Sequence, residues 1–413
     1  MTTTDKQALE TLAHISGETG ISLEGCRIRR SSSRFCLGVE HGDYNGTELF
    51  GAGTDRFIWT AFKARRDNRI RVFSANFPDD GIIDFESGKT PPPRSEAIAD
   101  TWGRFIFGVD HVLLRSGLNP VKGMDALIYG NIPGGGMSRS ASLTLNLLLC
   151  LLDVNGTKID DPFQIVDMAQ AVENDYIGSP CGQLDQIMIL FAKKGLGTHY
   201  LPEKREIRHV PLGKDSDIRL VSLDTGTVRP GLEKSTYKIR RAECEEFAAM
   251  LAPDYGLTRL ADIKDEKTYR SILDRHAQSH PHLCARLRYI FNAQKRFTRM
   301  LDAWSAGDIP TVGALFRADG RGLRDDYDIS GPELETMCDI ARTVDGVYGE
   351  RMLGGGDKGA SGVLCREDSV NPLREAVERA FPRAYPELKE KYAVHSLCLV
   401  DGITVFAYSA PGM

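Results

Sequence analysis

The chain has 413 residues, 41% of them hydrophobic and 26% charged, enough to bury full-sized cores; at roughly 150 residues per domain it divides into two. A formal charge of −5 leaves no general basic face, which argues against nucleic-acid binding. Nine scattered cysteines form no CxxC pair and read as reduced thiols, so a cytoplasmic protein is expected. The start MTTTDKQALETLAHI lacks the basic and apolar regions of a signal peptide. The apolar run LTLNLLLCLLDV (143–154) is too short to span a bilayer and carries Asn146, so no membrane partner is expected.

In chain order, residues 5–19 predict a short helix, and strand-like pieces follow to about 84, including RFIWTAFKA and IRVFSANF. Within this part RFCLGVEHGDYNG (34–46) keeps neither the helical nor the strand period, yet gathers Arg34, Glu40, His41 and Asp43 on glycine-hinged backbone. SGKTPPPRSE (87–96) predicts a surface connection, and residues 97–117 have helical spacing closed by glycine. A strand DALIYG (125–130), a glycine-serine loop (133–142), an apolar helix to about 153 and a helix over 162–177 come next. Two or three strands are expected between 187 and 224. Beyond about 225 amphipathic helices are expected at 234–251, 286–308 and 331–346, then a glycine-rich loop at 351–365 and a closing strand pair at 395–408. The pattern predicts an α+β protein in two lobes, 1–220 and 221–413.

The segment GNIPGGGMSRSASLTLNLLL (130–149) has three successive glycines before an apolar helix. Unpaired amides and the positive end of a helix make an anion site, and Ser138 and Ser140 add hydroxyls that can ligate Mg²⁺ or phosphate. No Lys-Ser/Thr pair follows the glycines, so this is not a Walker loop. A flexible turn before a core helix would look similar. In ENDYIGSPCGQLDQIMIL (173–190), Glu173 ends a helix and Asp185 follows a Pro-Cys-Gly turn. Taken singly, they would read as a surface acid and an N-cap.

Together these segments resemble galactokinases, of the superfamily that includes homoserine, mevalonate and phosphomevalonate kinases. SRFCLGVEHGDYNG is similar to the signature G-R-x-N-x-I-G-E-H-x-D-Y-x-G, PGGGMSRSAS to the phosphate loop P-x-G-x-G-L-S-S-S-A-S, and SPCGQLDQ to P-C-G-I-M-D-Q. STYKIRRAECEE (235–246) and GLRDDYDISGPELE (322–335) resemble stretches particular to galactokinases. GVYGERMLGGGDKGASG (346–362) is similar to G-x-R-M-T-G-G-G-F-G-G. The motifs lie in the family's order from about residue 20 to 410.

The resemblance implies a two-lobed small-molecule kinase fold of the galactokinase/mevalonate kinase type, with its site in the cleft between lobes. It implies transfer of the γ-phosphoryl of ATP to the C1 hydroxyl of a galacto-configured sugar. Asp185 would accept or orient the proton, and Arg34 would hold Asp185 ionised and steady the phosphoryl group. Glu40 and His41 would contact the distal hydroxymethyl, and Asp43 the secondary hydroxyls, with the Gly182 backbone and Tyr237. The amides of Gly134, Gly135 and Gly136, with Ser138 and Ser140, would hold the ATP phosphates. Trp102 would stack on adenine or serve as a core tryptophan. Ser140 and Glu173 would ligate Mg²⁺. The partners implied are the sugar and ATP, and a monomer is expected.

The chain departs from the pattern at several places. Arg139 replaces the middle serine of the phosphate loop, where either Ile132 or Pro133 matches the family's proline. Cys36 replaces Asn, Gly38-Val39 replaces Ile-Gly, and Asp357-Lys358 replaces Phe-Gly. Rival readings are a silent galactose/ATP sensor and a kinase for N-acetylgalactosamine or galacturonate. Glu40 argues against a uronate, because two carboxylates in one pocket repel. A metal protein built on HAQSHPHLC (276–284) would need a carboxylate cluster that the segment lacks.

Overall fold

The computed structural model describes residues 2–214, 217–228 and 234–408. Helix α1 (Thr3–Thr19) precedes strands β1 (Arg27–Gly38), β2 (Leu49–Ala64), β3 (Arg69–Ser74) and β4 (Ile83–Glu86). Then come α2 (Arg104–Arg115), β5 (Met124–Gly130), α3 (Arg139–Val154), α4 (Pro162–Ala171) and α5 (Leu184–Leu190). Strands β6 (Leu196–Leu201), β7 (Glu206–Pro211) and β8 (Arg219–Asp224) lead to helices α6 (Thr236–Tyr255), α7 (Glu266–His276), α8 (Pro281–Ala306), α9 (Ile309–Asp325) and α10 (Pro332–Arg342). The chain closes through β9 (Val347–Met352), β10 (Ala360–Cys365), α11 (Val370–Ala384), β11 (Ala393–Leu397) and β12 (Ile403–Ala407).

Eight strands form one sheet, ordered β12-β1-β2-β5-β3-β4, with β6 on β2 and β7 on β6; β3 and β5 are its parallel pair. The other sheet is β11-β8-β10-β9, antiparallel throughout. Helix α3 is buried on nearly all sides, packed on β1 and β2 with α2, α4 and α5 around it. That position explains the polar residue in its apolar run. Asn146 Nδ2 donates to the Arg29 carbonyl, Ser31 Oγ and the Ile58 carbonyl, so a buried amide ties the helix to two strands and stays satisfied.

The mixed α+β architecture is as expected, and several local expectations are corrected. The helix expected from 97 begins only at Arg104, because the Asp80 carboxylate takes the Thr101 hydroxyl at 2.7 Å and the Trp102 amide at 3.1 Å. The helix expected over 162–177 is α-helical to Ala171 and continues as a π-turn, Val172–Ile177. The closing segments do not pair with each other: β11 joins the small sheet, while β12 returns to β1 in the large one. Helix α9 carries no clear sequence signal, because Gly313, Gly320 and Gly322 lower its helix propensity. Packing decides its state, since a Cβ at Gly313 or Gly320 would collide with Tyr348 or Arg351 of β9.

All nine cysteines are free, and Cys398 alone is exposed. His276 ends α7 and Pro281 opens α8, so the histidine-rich segment is mostly helical. Among the described residues there is no group of three or more His, Cys, Asp or Glu side chains able to hold a metal ion, and no helix long and apolar enough to cross a membrane.

Candidate active site

Strand β1 delivers Arg34 from its buried C-terminal half, and the guanidinium joins three separate parts of the chain. Its Nε donates to Asp185 Oδ1 at 2.8 Å, with Nη2 at 2.7 Å from the same oxygen. Nη1 donates to the Gly136 carbonyl at 2.5 Å, and Nη2 lies 3.9 Å from Glu40 Oε1. Burial works against this charge, but Asp185 and Glu40 outweigh it and move the pKa of Arg34 up. Asp185, in the first turn of α5, keeps 32% of its side chain exposed while its guanidinium partner keeps 3%. The carboxylate therefore faces open space from a fixed orientation.

The loop after β1 supplies the other polar groups. Glu40 is ion-paired with Arg351 of β9 at 3.0 Å, and its carbonyl accepts from the Tyr289 hydroxyl at 2.8 Å. Arg351 is fully buried and also donates to the Cys36 carbonyl. This arginine was not singled out from sequence, although two adjacent charges in a strand, Glu350 and Arg351, are a signal of buried ion pairing. His41 has φ 60°, a left-handed conformation held by Asn45 Nδ2 donating to its carbonyl, and its Nδ1 is 2.9 Å from the Tyr44 hydroxyl.

Asp43 accepts from the amides of Leu184 and Tyr44 at 3.1 and 3.0 Å. Gly182 passes so close that any Cβ there would strike the Asp43 carboxylate, and its amide donates to the Tyr237 hydroxyl at 3.3 Å. Burial pushes the Asp43 carboxyl up to about 6, against the pull of its two amide donors. For the sugar that the motif resemblance implies, affinity measured by calorimetry from pH 5 to 8 is expected to fall as pH drops through about 6, and Asp43→Asn is expected to flatten the curve. The effect on stability of the unliganded protein has the opposite sign. A folded pKa above the unfolded one means that this carboxyl's contribution declines as pH rises from about 4 to 6.

Across the cleft, the loop between β5 and α3 carries Gly134, Gly135 and Gly136, with Gly134 open to space and Gly135 against Gly359 of the third motif. Ser138 is the left-handed N-cap residue of α3, and its buried Oγ has no hydrogen-bond partner. Ser140 Oγ donates to Glu173 Oε2 at 3.2 Å, across the gap between α3 and the π-turn. The wider turn re-aims Glu173 toward α3 instead of letting it follow the helical face. Two hard oxygen donors thus sit side by side, of the type that suits a Mg²⁺ ion that keeps several waters. Trp102 belongs to the hydrophobic core at 5% exposure and also borders the cleft, with its indole N–H unpartnered.

These groups line one cavity of about 380 Å³. Every residue expected at the site from sequence borders it: Arg34, Glu40, His41 and Asp43 from the first motif; Gly134, Gly135, Gly136, Ser138 and Ser140 from the loop; Glu173, Gly182 and Asp185; and Trp102 and Tyr237. Phe77 and Arg104 also line the cavity and were not foreseen. Carboxylates and an imidazole at one end suit a polyol, and free amides with hydroxyls at the other suit phosphate.

Comparison with known proteins agrees with this chemistry. Residues 105–193 match the GHMP kinases N terminal domain. The chain is 32% identical over 355 residues to a galactokinase of Chloroflexus aggregans, covering 85% of this chain and 87% of that protein. It is 30% identical to the Enterococcus faecalis galactokinase over 352 residues, 83% of this chain and 86% of that one. Its structure matches that of Lactococcus lactis galactokinase complexed with galactose at a TM-score of 0.88 and 27% identity, over 96% of this chain and 99% of that one. Methanococcus jannaschii mevalonate kinase shares the fold at a TM-score of 0.62 and 14% identity, over 90% and 98% of the two chains. With a curated relative more than 30% identical over most of both lengths, the chain belongs to the galactokinase family of GHMP kinases.

Proposed function

We propose that the protein transfers the γ-phosphoryl group of ATP to the C1 hydroxyl of galactose, releasing ADP and galactose 1-phosphate. The observation that carries this reading is the bridge made by Arg34, which holds the Asp185 carboxylate beside the carbonyl of the last loop glycine in a single cavity. We take the cavity as the cleft between the two expected lobes, since residues from Arg34 to Asp185 line it together with Tyr237, Gly354 and Gly355.

Asp43, His41, Glu40 and Tyr237 ring the sugar and leave its C1 hydroxyl toward Asp185. As the O1–phosphorus bond forms and the bond to the ADP oxygen breaks, the hydroxyl proton passes to the Asp185 carboxylate and then to solvent. Arg34 keeps that carboxylate in place and adds positive charge beside the transferring group, where positioning and electrostatics supply most of the catalysis. Amides of Gly134, Gly135 and Gly136 bind the phosphate chain. Ser140 and Glu173 would hold Mg²⁺, which when bound neutralises phosphate charge. The cytoplasm is the expected compartment.

A substrate panel of galactose, N-acetylgalactosamine, galacturonate, glucose and arabinose tests the reading by ADP release. Galactose is expected to turn over fastest and galacturonate not at all, since a uronate carboxylate would meet the Glu40 carboxylate, with which Arg351 is already engaged. Galactose binding without ADP release would instead favour a silent sensor.

A further inference from the structure

The cavity wall carries five carboxylates (Glu40, Asp43, Asp100, Glu173 and Asp185) against three guanidinium groups. A nucleotide phosphate chain entering such a wall needs positive charge, and two of the three arginines are engaged. Arg34 is held by Asp185 and Gly136, and Arg104 donates to the Ala99 carbonyl. The Arg139 guanidinium makes no hydrogen bond or ion pair among the described residues; it rests 5.7 Å from the centre of the Phe77 ring, which also lines the cavity. It is also the first residue of α3, where a cation faces the positive end of the helix, an arrangement that a nearby anion relieves.

Three further observations point the same way. The preceding residue, Ser138, has a buried Oγ without a partner. Much of the Arg139 surface is open to solvent, yet the cavity walls desolvate its charge and draw its pKa down, with Asp224 acting against them. The galactokinase loop motif has serine where this chain has Arg139, so the charge is an addition to the shared machinery.

We propose that Arg139 is a nucleotide-affinity residue of this chain, swinging from the Phe77 ring onto the β- or γ-phosphate of the bound nucleotide. The contact is a charge-assisted hydrogen bond that survives into the ADP complex, so it strengthens binding of di- and triphosphates without touching the sugar. The inference rests on the reading of residues 134–140 as the phosphate loop.

Calorimetry with AMP, ADP and ATP, each with Mg²⁺ and again in EDTA, tests it on the wild type, Arg139→Ser and Arg139→Lys. Arg139→Ser is expected to weaken ADP and ATP roughly tenfold, the lower range for a hydrogen bond to a charged group, while AMP and galactose affinities stay put. Arg139→Lys should recover part of the loss, and the difference should shrink at high salt. Equal or tighter ADP binding by Arg139→Ser overturns the proposal and means that the guanidinium crowds the site. Failure of the wild type to bind ADP at all would instead overturn the phosphate-loop reading on which it rests.

Discussion

Replacing Asp185 by Asn is expected to lower kcat by roughly 10²–10⁴-fold, the range for loss of a positioned general base. Galactose binding, followed by calorimetry, should stay close to that of the wild type. The split follows from the geometry. The sugar ring is assigned to Asp43, His41 and Tyr237, which border the same cavity, and not to Asp185. The amide oxygen of Asn can still accept from Arg34 Nε, so the guanidinium keeps its orientation and its contact with the Gly136 carbonyl. What disappears is the capacity to take a proton. Turnover at the wild-type rate would remove Asp185 from the reaction, and a parallel loss of galactose binding would make it a sugar ligand instead.

The largest effect on stability is expected from Arg351→Met. Its guanidinium is fully buried, bonded to Glu40 at 3.0 Å and to the Cys36 carbonyl at 3.0 Å, with Asp319 3.7 Å from Nε. Methionine fills much of the same volume beside Phe316 but leaves Glu40 with Arg34 at 3.9 Å as its nearest remaining cation. Breaking a buried pair on one side costs about 3–5 kcal/mol, because a desolvated charge is left behind. Urea unfolding should show that loss as a lower midpoint. The double variant Glu40→Gln/Arg351→Met should regain part of it, since the stranded charge is then gone. A loss under about 1 kcal/mol in the single variant would mean that the pair is hydrated and weak. Asp319 has its own partner in Arg296 at 2.9 Å, so the rescue is assigned to Glu40.

Much of the site is legible in the amino-acid order because its parts are local. A glycine triplet before an apolar helix specifies free amides at a helix end, whatever the rest of the fold does. The glycine-hinged stretch around Glu40, His41 and Asp43 breaks both regular periods, and the structure uses it as an irregular loop on the cavity wall. These local signals, ordered along the chain, carry the family and the reaction class.

Other features depend on contacts between distant segments. Helix α2 starts late because Asp80 captures Thr101 and the Trp102 amide, and α9 forms despite three glycines because β9 needs its close approach. Glu40 and Arg351 stand 311 positions apart, and no local pattern pairs them. The two closing strands look like a hairpin in sequence but belong to different sheets. By itself, then, the sequence determined which chemical groups the protein carries and on what kind of backbone. Only the tertiary structure decided which of them meet, because that choice is made by desolvation, packing and charge pairing summed over the whole chain, and short-range propensity contains none of those terms.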